Sequence, residues 1–351
     1  VVAWAEALAG AAGAAGVTEP AITAAPPERL DHFMARANAA YYAGRDPFDD
    51  FTTAPEISQI FGEIIGAWAA VVWELLGRPS PVILAEAGPG RGTLMADARR
   101  LTARVAPAFH AAATVHFIET SPRLRAEQAA RVPDAAWHDG LDTLPEGPLI
   151  LLANEFLDAL PIRQFRREGS GWAEHYVQDG AFVALPCAAP AGYHSDEEED
   201  GIVEINEAAE AFVTALAARL AAQGGVALIL DYGAAANPGD SLQAIRARRP
   251  AEPLRHAGEA DLTALVDFSA VARAAARAGA AVQGPIPQGT FLSRLGLFER
   301  AERLARGRSA AETAAVMAGA RRLAEPLAMG GLFKAMAIAA WSMPPLPGFA
   351  A

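Results

Sequence analysis

Two periods of apolar residues divide this chain. "EISQIFGEIIGAWAAVVWELLG" (56–77) spaces its apolar residues three and four apart, which predicts a helix that Gly77 stops. Before it, "YYAGRDPFDDFTTAPE" (41–56) reads as a loop. From Val82 short apolar runs take over: "VILAE" (82–86), "TVHFIE" (114–119), "AAWH" (135–138) and "PLILLANE" (148–155). Helical patterns lie between them, near 92–104 and from about Pro122. Nearly continuous apolar strands alternating with helices predict a parallel sheet covered on both faces. Alternation of period two then appears in "RQFRREGSGWAEHYVQDGAFVALP" (163–186), around glycine-containing turns, and predicts antiparallel hairpins. The acidic "SDEEEDG" (195–201) reads as a solvated loop. A helix over 207–222 leads to the buried strand "GVALILDYG" (225–233). "DFSAVARAAARAG" (267–279) reads as a helix, and "AAVQGPI" (280–286) and "LFKAMAIAAW" (332–341) as the last strands.

The chemistry concentrates where "VILAE" runs into "AGPGRGTLM". Gly88, Gly90 and Gly92 follow Glu86 at alternate positions and open a helix. Glycines let a ligand approach the backbone, and a helix start offers free N–H groups. The spacing G-x-G-x-G is not the dinucleotide fingerprint G-x-G-x-x-G, and no G-K-[ST] of a phosphate loop follows. Three successive strands end in acids: Glu86, Glu119 and, after the third, Asp139. Acids there suit a cofactor without phosphates, with ribose hydroxyls, an adenine amino group and an ammonium, and S-adenosylmethionine is such a cofactor. The alternative is that "GPGRG" is only a structural turn.

Beyond these residues the chain resembles the MidA family of S-adenosylmethionine-dependent methyltransferases, which includes a mitochondrial complex I assembly factor. The resemblance runs from about Tyr41 to Trp341. It is carried by "DFTTAPEISQIFGE", "EAGPGRGTLMAD", "IETSPRLRAEQ", "WHDGLDTLP", "ANEFLDALPIRQF", "LILDYG", "GDSLQAIR", "GEADLTALVDFSA" and "MGGLFKAMAI". It implies an α/β fold of the class I methyltransferase (Rossmann-like) type: a seven-stranded sheet with its last strand antiparallel, an N-terminal helical region and an inserted β-containing lobe. The expected divisions are a helical region and cofactor-covering loop over 1–80, the first half of the core over 81–165, the inserted lobe over 166–223 and the second half over 224–345. Carried over residue by residue, the cofactor site is Glu86, Gly88, Gly90, Gly92, Glu119 and Asp139. Thr53, Pro55 and Glu56 belong to the motif implied to cover the cofactor, and Asn154 joins them. Two stretches depart from the family pattern. "RDPFDDFTTAPE" is shorter than the usual spacer, and "IRARRPAEPL" lacks the aromatic and histidine character expected there.

The resemblance implies that the acceptor is an arginine of a respiratory complex I core subunit or its bacterial counterpart. A guanidinium stays charged at neutral pH, and carboxylates can grip its fork with paired hydrogen bonds. Glu155 and Asp158 follow the fourth strand of the pattern, where ligands bind in open α/β sheets, and Asp231 follows the next. The competing role is structural: Asn154 and Asp158 as helix caps, Asp231 as a turn former. His138 and His116 read as structural, Cys187 has no activating neighbour in sequence, and Arg163, Arg166 and Arg167 read as a solvated or partner-facing edge. Three other functions compete with arginine methylation. They are methylation of a small molecule, methylation of another protein side chain, and cofactor binding by an assembly factor with little turnover.

Composition narrows this only at the margins. A formal charge of −12 over 351 residues argues against a general nucleic-acid binder. The lone cysteine, Cys187, excludes an internal disulfide and a cysteine-rich zinc site, so no metal is expected. It fits a reducing compartment, and the bacterial cytoplasm is the expectation. "VVAWAEALAGAAGAAG" lacks a basic start and carries Glu6, so it reads as a poor signal peptide, and the chain reads as trimmed at its start. No apolar run reaches membrane-spanning length without a charge, so no membrane insertion is expected. A homo-oligomer is compatible with the composition.

Overall fold

In the computed structural model, which describes residues 26–191, 201–341 and 343–349, the apolar runs pair into one mixed sheet. Its strands are β1 (Val82–Ala87), β2 (Ala113–Ile118), β3 (Ala136–His138), β4 (Leu149–Asn154), β5 (Gly225–Ala234), β6 (Ala281–Pro287) and β7 (Phe333–Ala339). The spatial order is 3-2-1-4-5-7-6. Strands β1 to β5 run parallel, and β7 is antiparallel to both of its neighbours. The two-residue strand Val266–Asp267 adds to the end of β5. β1 and β4 are buried at every position, as strands covered on both faces must be. The strand order reverses between β1 and β4, so the chain leaves their carboxyl ends in opposite directions, the place where ligands bind in open α/β sheets.

The chain forms two compact units. The unit that holds the sheet comprises Thr52–Asp158, Ala209–Asn237 and Leu265–Ala351. Its helices include α1 (Ala54–Ile57), α2 (Gln59–Leu75), α3 (Thr93–Val105), α4 (Pro122–Arg131), α5 (Glu207–Gln223), α6 (Phe268–Arg277), α7 (Gln288–Arg294), α8 (Leu297–Ala305) and α9 (Ala310–Ala324). Its core joins Leu84, Phe117, Leu152 and Leu228 of the strands to Phe61, Ile65 and Trp68 of α2 and to Phe291 and Leu323 beyond β6. The expected helix from Glu56 is broken at Ser58. Its backbone is extended there, and its hydroxyl accepts the Ile60 N–H, so a new helix starts.

The other unit comprises the described residues up to Phe51, with Ala159–Ala208 and Pro238–Ala264. The hairpins expected over 163–186 are present as Arg163–Glu168, Gly171–Gln178 and Ala181–Cys187, and Ile202–Ile205 and Glu28–Arg29 add to their sheet. A helix, Leu30–Gly44, packs Leu30, Phe33 and Met34 with Ile162, Val177 and Leu262 in a separate core. Asn38 on that helix donates to the carbonyls of Ala159 and Leu262 and accepts the Leu262 N–H. These boundaries differ from the expected ones. Leu30–Gly44 belongs with the hairpins, α2 belongs with the main sheet, and most of α5 does as well. The stretch 195–200 and the N-terminus through residue 25 lie outside the described residues. Among the described residues no helix is long and apolar enough to cross a membrane.

α2 and α3 approach closely because α2 carries glycines at the crossing. A Cβ on Gly66 would lie 2.6 Å from the Ala98 Cα, and one on Gly62 would lie 2.7 Å from the Asp97 Cβ. Gly66→Val is therefore expected to destabilise the protein by about 1–3 kcal/mol, the usual cost of overpacking a tight contact. Urea denaturation measures this, and an unchanged midpoint would contradict the packing described.

Candidate functional site

The loop from β1 to α3 has Gly88, Gly90 and Gly92 all in the left-handed region, at φ +63°, +53° and +77°. At Gly88 the constraint is double. A side chain would strain the backbone, and its Cβ would lie 2.8 Å from the Phe156 ring. Gly92 caps α3 without a side-chain bond, so the start of that helix keeps backbone donors directed toward the strand end.

Glu86, at the end of β1, takes one of them. It accepts the Met95 N–H while only 3% of its surface is exposed, and burial pushes its carboxyl up to about 8. Its Oε2 is buried and has no partner among the described residues. The same is true of the Asn154 Oδ1 at the end of β4. The two strands are adjacent and parallel, with Ala87 opposite Ala153, so two unused acceptors sit at neighbouring strand ends. Buried acceptors are rarely left so, and the pair points to a donor-bearing, cationic ligand group.

Glu119, just past β2, accepts the Ser121 N–H at 2.7 Å and the Gln128 amide at 3.2 Å, and the Thr120 N–H also donates to it. Burial raises its carboxyl above the usual range, and those donors pull it back. Asp139, past β3, lies at the surface with its side chain 75% exposed, held by Arg125 at 2.5 Å. Arg125 also donates to the Glu119 carbonyl, and the Glu119 N–H donates to the His138 carbonyl. α4 thus ties the ends of β2 and β3 together.

The turn after β4 is organised from below by Asp231. This aspartate is completely buried and accepts the N–H groups of Phe156 (3.1 Å), Leu157 (2.8 Å) and Tyr232 (2.9 Å), with Asp158 N–H donating as well. Burial pushes its carboxyl up to about 6. The expected acceptor ligand thus lies completely buried in this structure, with its oxygens facing the backbone of the turn. Glu155 also differs from the expected picture. It holds a left-handed backbone (φ +52°), and its Oε1 accepts the Ala54 N–H at 2.9 Å and the Asn154 amide at 3.0 Å. Glu56 accepts the Thr93 hydroxyl. Thr53 caps α1 without a side-chain bond and Pro55 lies in its first turn. The 53–56 segment is therefore tied at one point to the end of β4 and at another to the start of α3. Asp158 is half-buried.

Other candidates fall away from this cluster. His116 and His138 face each other at 2.9 Å, burial together with His138 lowers His116 to about 4, and burial lowers His138 as well. Arg163 is not a solvated edge. It is paired with Glu174 and Glu207 and stacked over Phe165. Cys187 ends its strand with its thiol pushed up by burial, which makes it a poor nucleophile. No metal-ligating cluster occurs among the described residues. A cleft of about 290 Å³ between α2, α3 and the α7–α8 turn is lined by Glu63, Leu101, Arg300 and Arg303 and includes none of the strand-end acids. Sequence reasoning missed Phe156, Arg125 and Gln128. All three stand in motifs already marked, but in a helix or turn they look like ordinary surface positions.

Comparison with known proteins gives the context. A family model for S-adenosyl-L-methionine-dependent methyltransferases matches residues 64–286. The chain is 33% identical to the mitochondrial protein arginine methyltransferase NDUFAF7 homolog of Drosophila melanogaster, over 89% of this chain and 80% of that protein. It is 34% identical to mitochondrial NDUFAF7 of Mus musculus, also a protein arginine methyltransferase, over 78% of this chain and 71% of that one. A Burkholderia thailandensis structure with S-adenosyl-homocysteine bound superposes with TM-score 0.74 at 25% identity, covering 92% of this chain and 90% of its own.

The buried acid of β1 gives a pH prediction for the protein without ligand. Its value in the fold lies above its ordinary 4.5, so the neutral form is favoured by folding. That contribution is fully present below about 4.5 and is lost as pH rises through about 8. Between those values it erodes stability on the order of 1.4 kcal/mol per pH unit. Glu86→Gln removes this slope. Urea denaturation at mildly acidic and mildly basic pH should show the wild type losing more stability than the variant. Equal losses would mean that Glu86 is not buried as described.

Proposed function

The chain belongs to the family of S-adenosyl-L-methionine-dependent methyltransferases, and we propose from there that it methylates an arginine side chain of a protein. The proposed substrate is a core subunit of respiratory complex I or its bacterial counterpart. S-adenosyl-L-methionine is the cofactor. The observation that carries the reading is the pair of unused buried acceptors, Glu86 Oε2 and Asn154 Oδ1, beside a glycine loop whose strands end in acids.

These residues fit the cofactor. Glu86 and Asn154 supply acceptors for the ammonium of its amino-acid end. Glu119 supplies acceptors for the ribose hydroxyls, and Asp139 one for the adenine amino group. The glycine loop admits the ligand to the backbone. Thr53, Pro55 and Glu56, tied to Thr93 and Glu155, limit water at the strand ends. The cofactor supplies a methyl group already activated on a sulfonium, so the protein's part is positioning and proton management. Asp158 follows Asn154 on the turn that Asp231 fixes. Its carboxylate can accept N–H bonds from a guanidinium, orient one terminal nitrogen and take the proton that this nitrogen sheds on methylation. Glu155 supports this arrangement by holding the turn, not by direct contact. The proposed site of action is the bacterial cytoplasm, while the NDUFAF7 relatives are mitochondrial proteins.

Two experiments test this. Incubation with methyl-labelled cofactor and a purified complex I core subunit, followed by mass spectrometry, should place the label on arginine. Label on another side chain or only on small molecules would replace the substrate assignment, and binding of both partners without transfer would favour an assembly role. Asp158→Asn should leave S-adenosylhomocysteine affinity unchanged and slow single-turnover transfer ten- to a hundredfold, the equivalent of losing about 1.5–3 kcal/mol in a charged hydrogen bond. Wild-type rates would reduce Asp158 to a helix cap, which asparagine replaces well.

A further inference from the structure

Gln128 sits on α4 with no exposed surface, and every polar atom of its side chain is used. Its Nε2 donates to the Gly90 carbonyl at 2.7 Å and to the Glu119 Oε2 at 3.2 Å. Its Oε1 accepts the Trp137 indole N–H at 2.8 Å. The orientation is forced by chemistry. An indole N–H can only donate, so the amide oxygen must face Trp137 and the amide NH2 must face the two acceptors. α4 also lies flush on the loop, since a Cβ on Gly92 would come 3.4 Å from the Gln128 Cγ. One side chain therefore joins three segments: the glycine loop, the end of β2, and β3 two residues ahead of Asp139.

We infer that Gln128 is a positioning residue for the cofactor. Its amide sets the spacing between the Gly90 loop and Glu119 and obliges Glu119 to present lone pairs, not a proton, to the ribose. The inference rests on the assignment of Glu119 to the ribose. A donor at this place matters because Glu119 is half-buried, and without the donor burial would push it further toward its neutral form. The other charged and titratable groups around it are Arg125, which donates to the Glu119 carbonyl and to Asp139, Glu127 with Arg91, and His138 at the end of β3. None of them replaces a donor to the Glu119 Oε2.

The test is a calorimetric titration of S-adenosylhomocysteine into wild type, Gln128→Glu and Gln128→Met from about pH 5.5 to about pH 8.5. Glutamate keeps the acceptor for Trp137 and loses both donors. It sets a second carboxyl against Glu119, and the two can pair only by sharing one proton. As pH rises that proton is lost and the pair repels. The ratio of wild-type to Gln128→Glu affinity should therefore grow roughly tenfold or more across the range. Gln128→Met, close in volume and without polar atoms, should lose about tenfold or more, and most at the acid end of the range, where Glu119 without its donor takes up a proton. Circular dichroism checks each fold. If glutamate is not tolerated, methionine decides: wild-type affinity in Gln128→Met overturns the inference. A folded Gln128→Glu whose ratio does not change with pH, the behaviour of a merely structural glutamine, overturns it as well. A wild type that does not bind would sink the cofactor site itself, and a wild type that binds beside a flat ratio sinks only the role of Gln128.

Discussion

A carboxylate taken out of water must be met by donors or by a proton, and this sheet buries Glu86 and Asp231 and half-buries Glu119 near the ends of its strands. Asp231 is met by four backbone N–H groups, from Phe156, Leu157, Asp158 and Tyr232. Glu119 is met by Ser121, Thr120 and Gln128, and Glu86 by Met95. In each case most or all of the donors are backbone groups of a chain turn beside the strand end. Acid and turn therefore fix one another. The left-handed glycines after β1 and the left-handed Glu155 after β4 follow from the same demand, because the chain must curl back on the strand end to bring its N–H groups into range. Such conformations cost about 1–3 kcal/mol at a non-glycine residue, and they persist only where the surroundings hold them.

The same accounting separates residues that build the site from residues that face it. Asp231 is completely buried and accepts four N–H groups of the two turns beside it, Asp158 N–H among them. Glu86 and Asn154 each keep one buried oxygen without a partner among the described residues, and the proposed cofactor site rests on that pair. Stability and binding conflict at Glu86. The neutral acid that suits the fold is the wrong partner for the proposed ammonium, whose binding would draw the proton off.

Much of this was legible in the sequence. The change of period, the continuous apolar strands and the glycine loop led directly to β1–β5 and to the acids that end them. The hairpins showed because "FRREGSGWAEHYV" alternates around a turn. The failures have physical causes. α9 is so rich in alanine that its apolar stripe contrasts little with its outer face, although the Ser309–Glu312 capping box marks its start. The strands Gln243–Arg246, Arg249–Ala251 and Asp261–Thr263 are too short to show a period. Asp231 and Glu155 looked like ligand residues because a sequence shows an acid after a strand and does not show the backbone N–H groups that will occupy it. Gln128 was invisible for the converse reason: a glutamine between charged neighbours on a helix reads as solvated until Trp137 and Gly90 are seen to enclose it.

The central claim is that the acids ending successive strands receive the cofactor, and the ribose acid is where it is most exposed to refutation. Calorimetric titration of S-adenosylhomocysteine into wild type and Glu119→Ala, with circular dichroism to confirm the fold, measures it directly. The account predicts a folded variant whose affinity falls about ten- to a hundredfold, the equivalent of about 1.5–3 kcal/mol for hydrogen bonds to a charged group. A folded Glu119→Ala that binds as tightly as the wild type would contradict it.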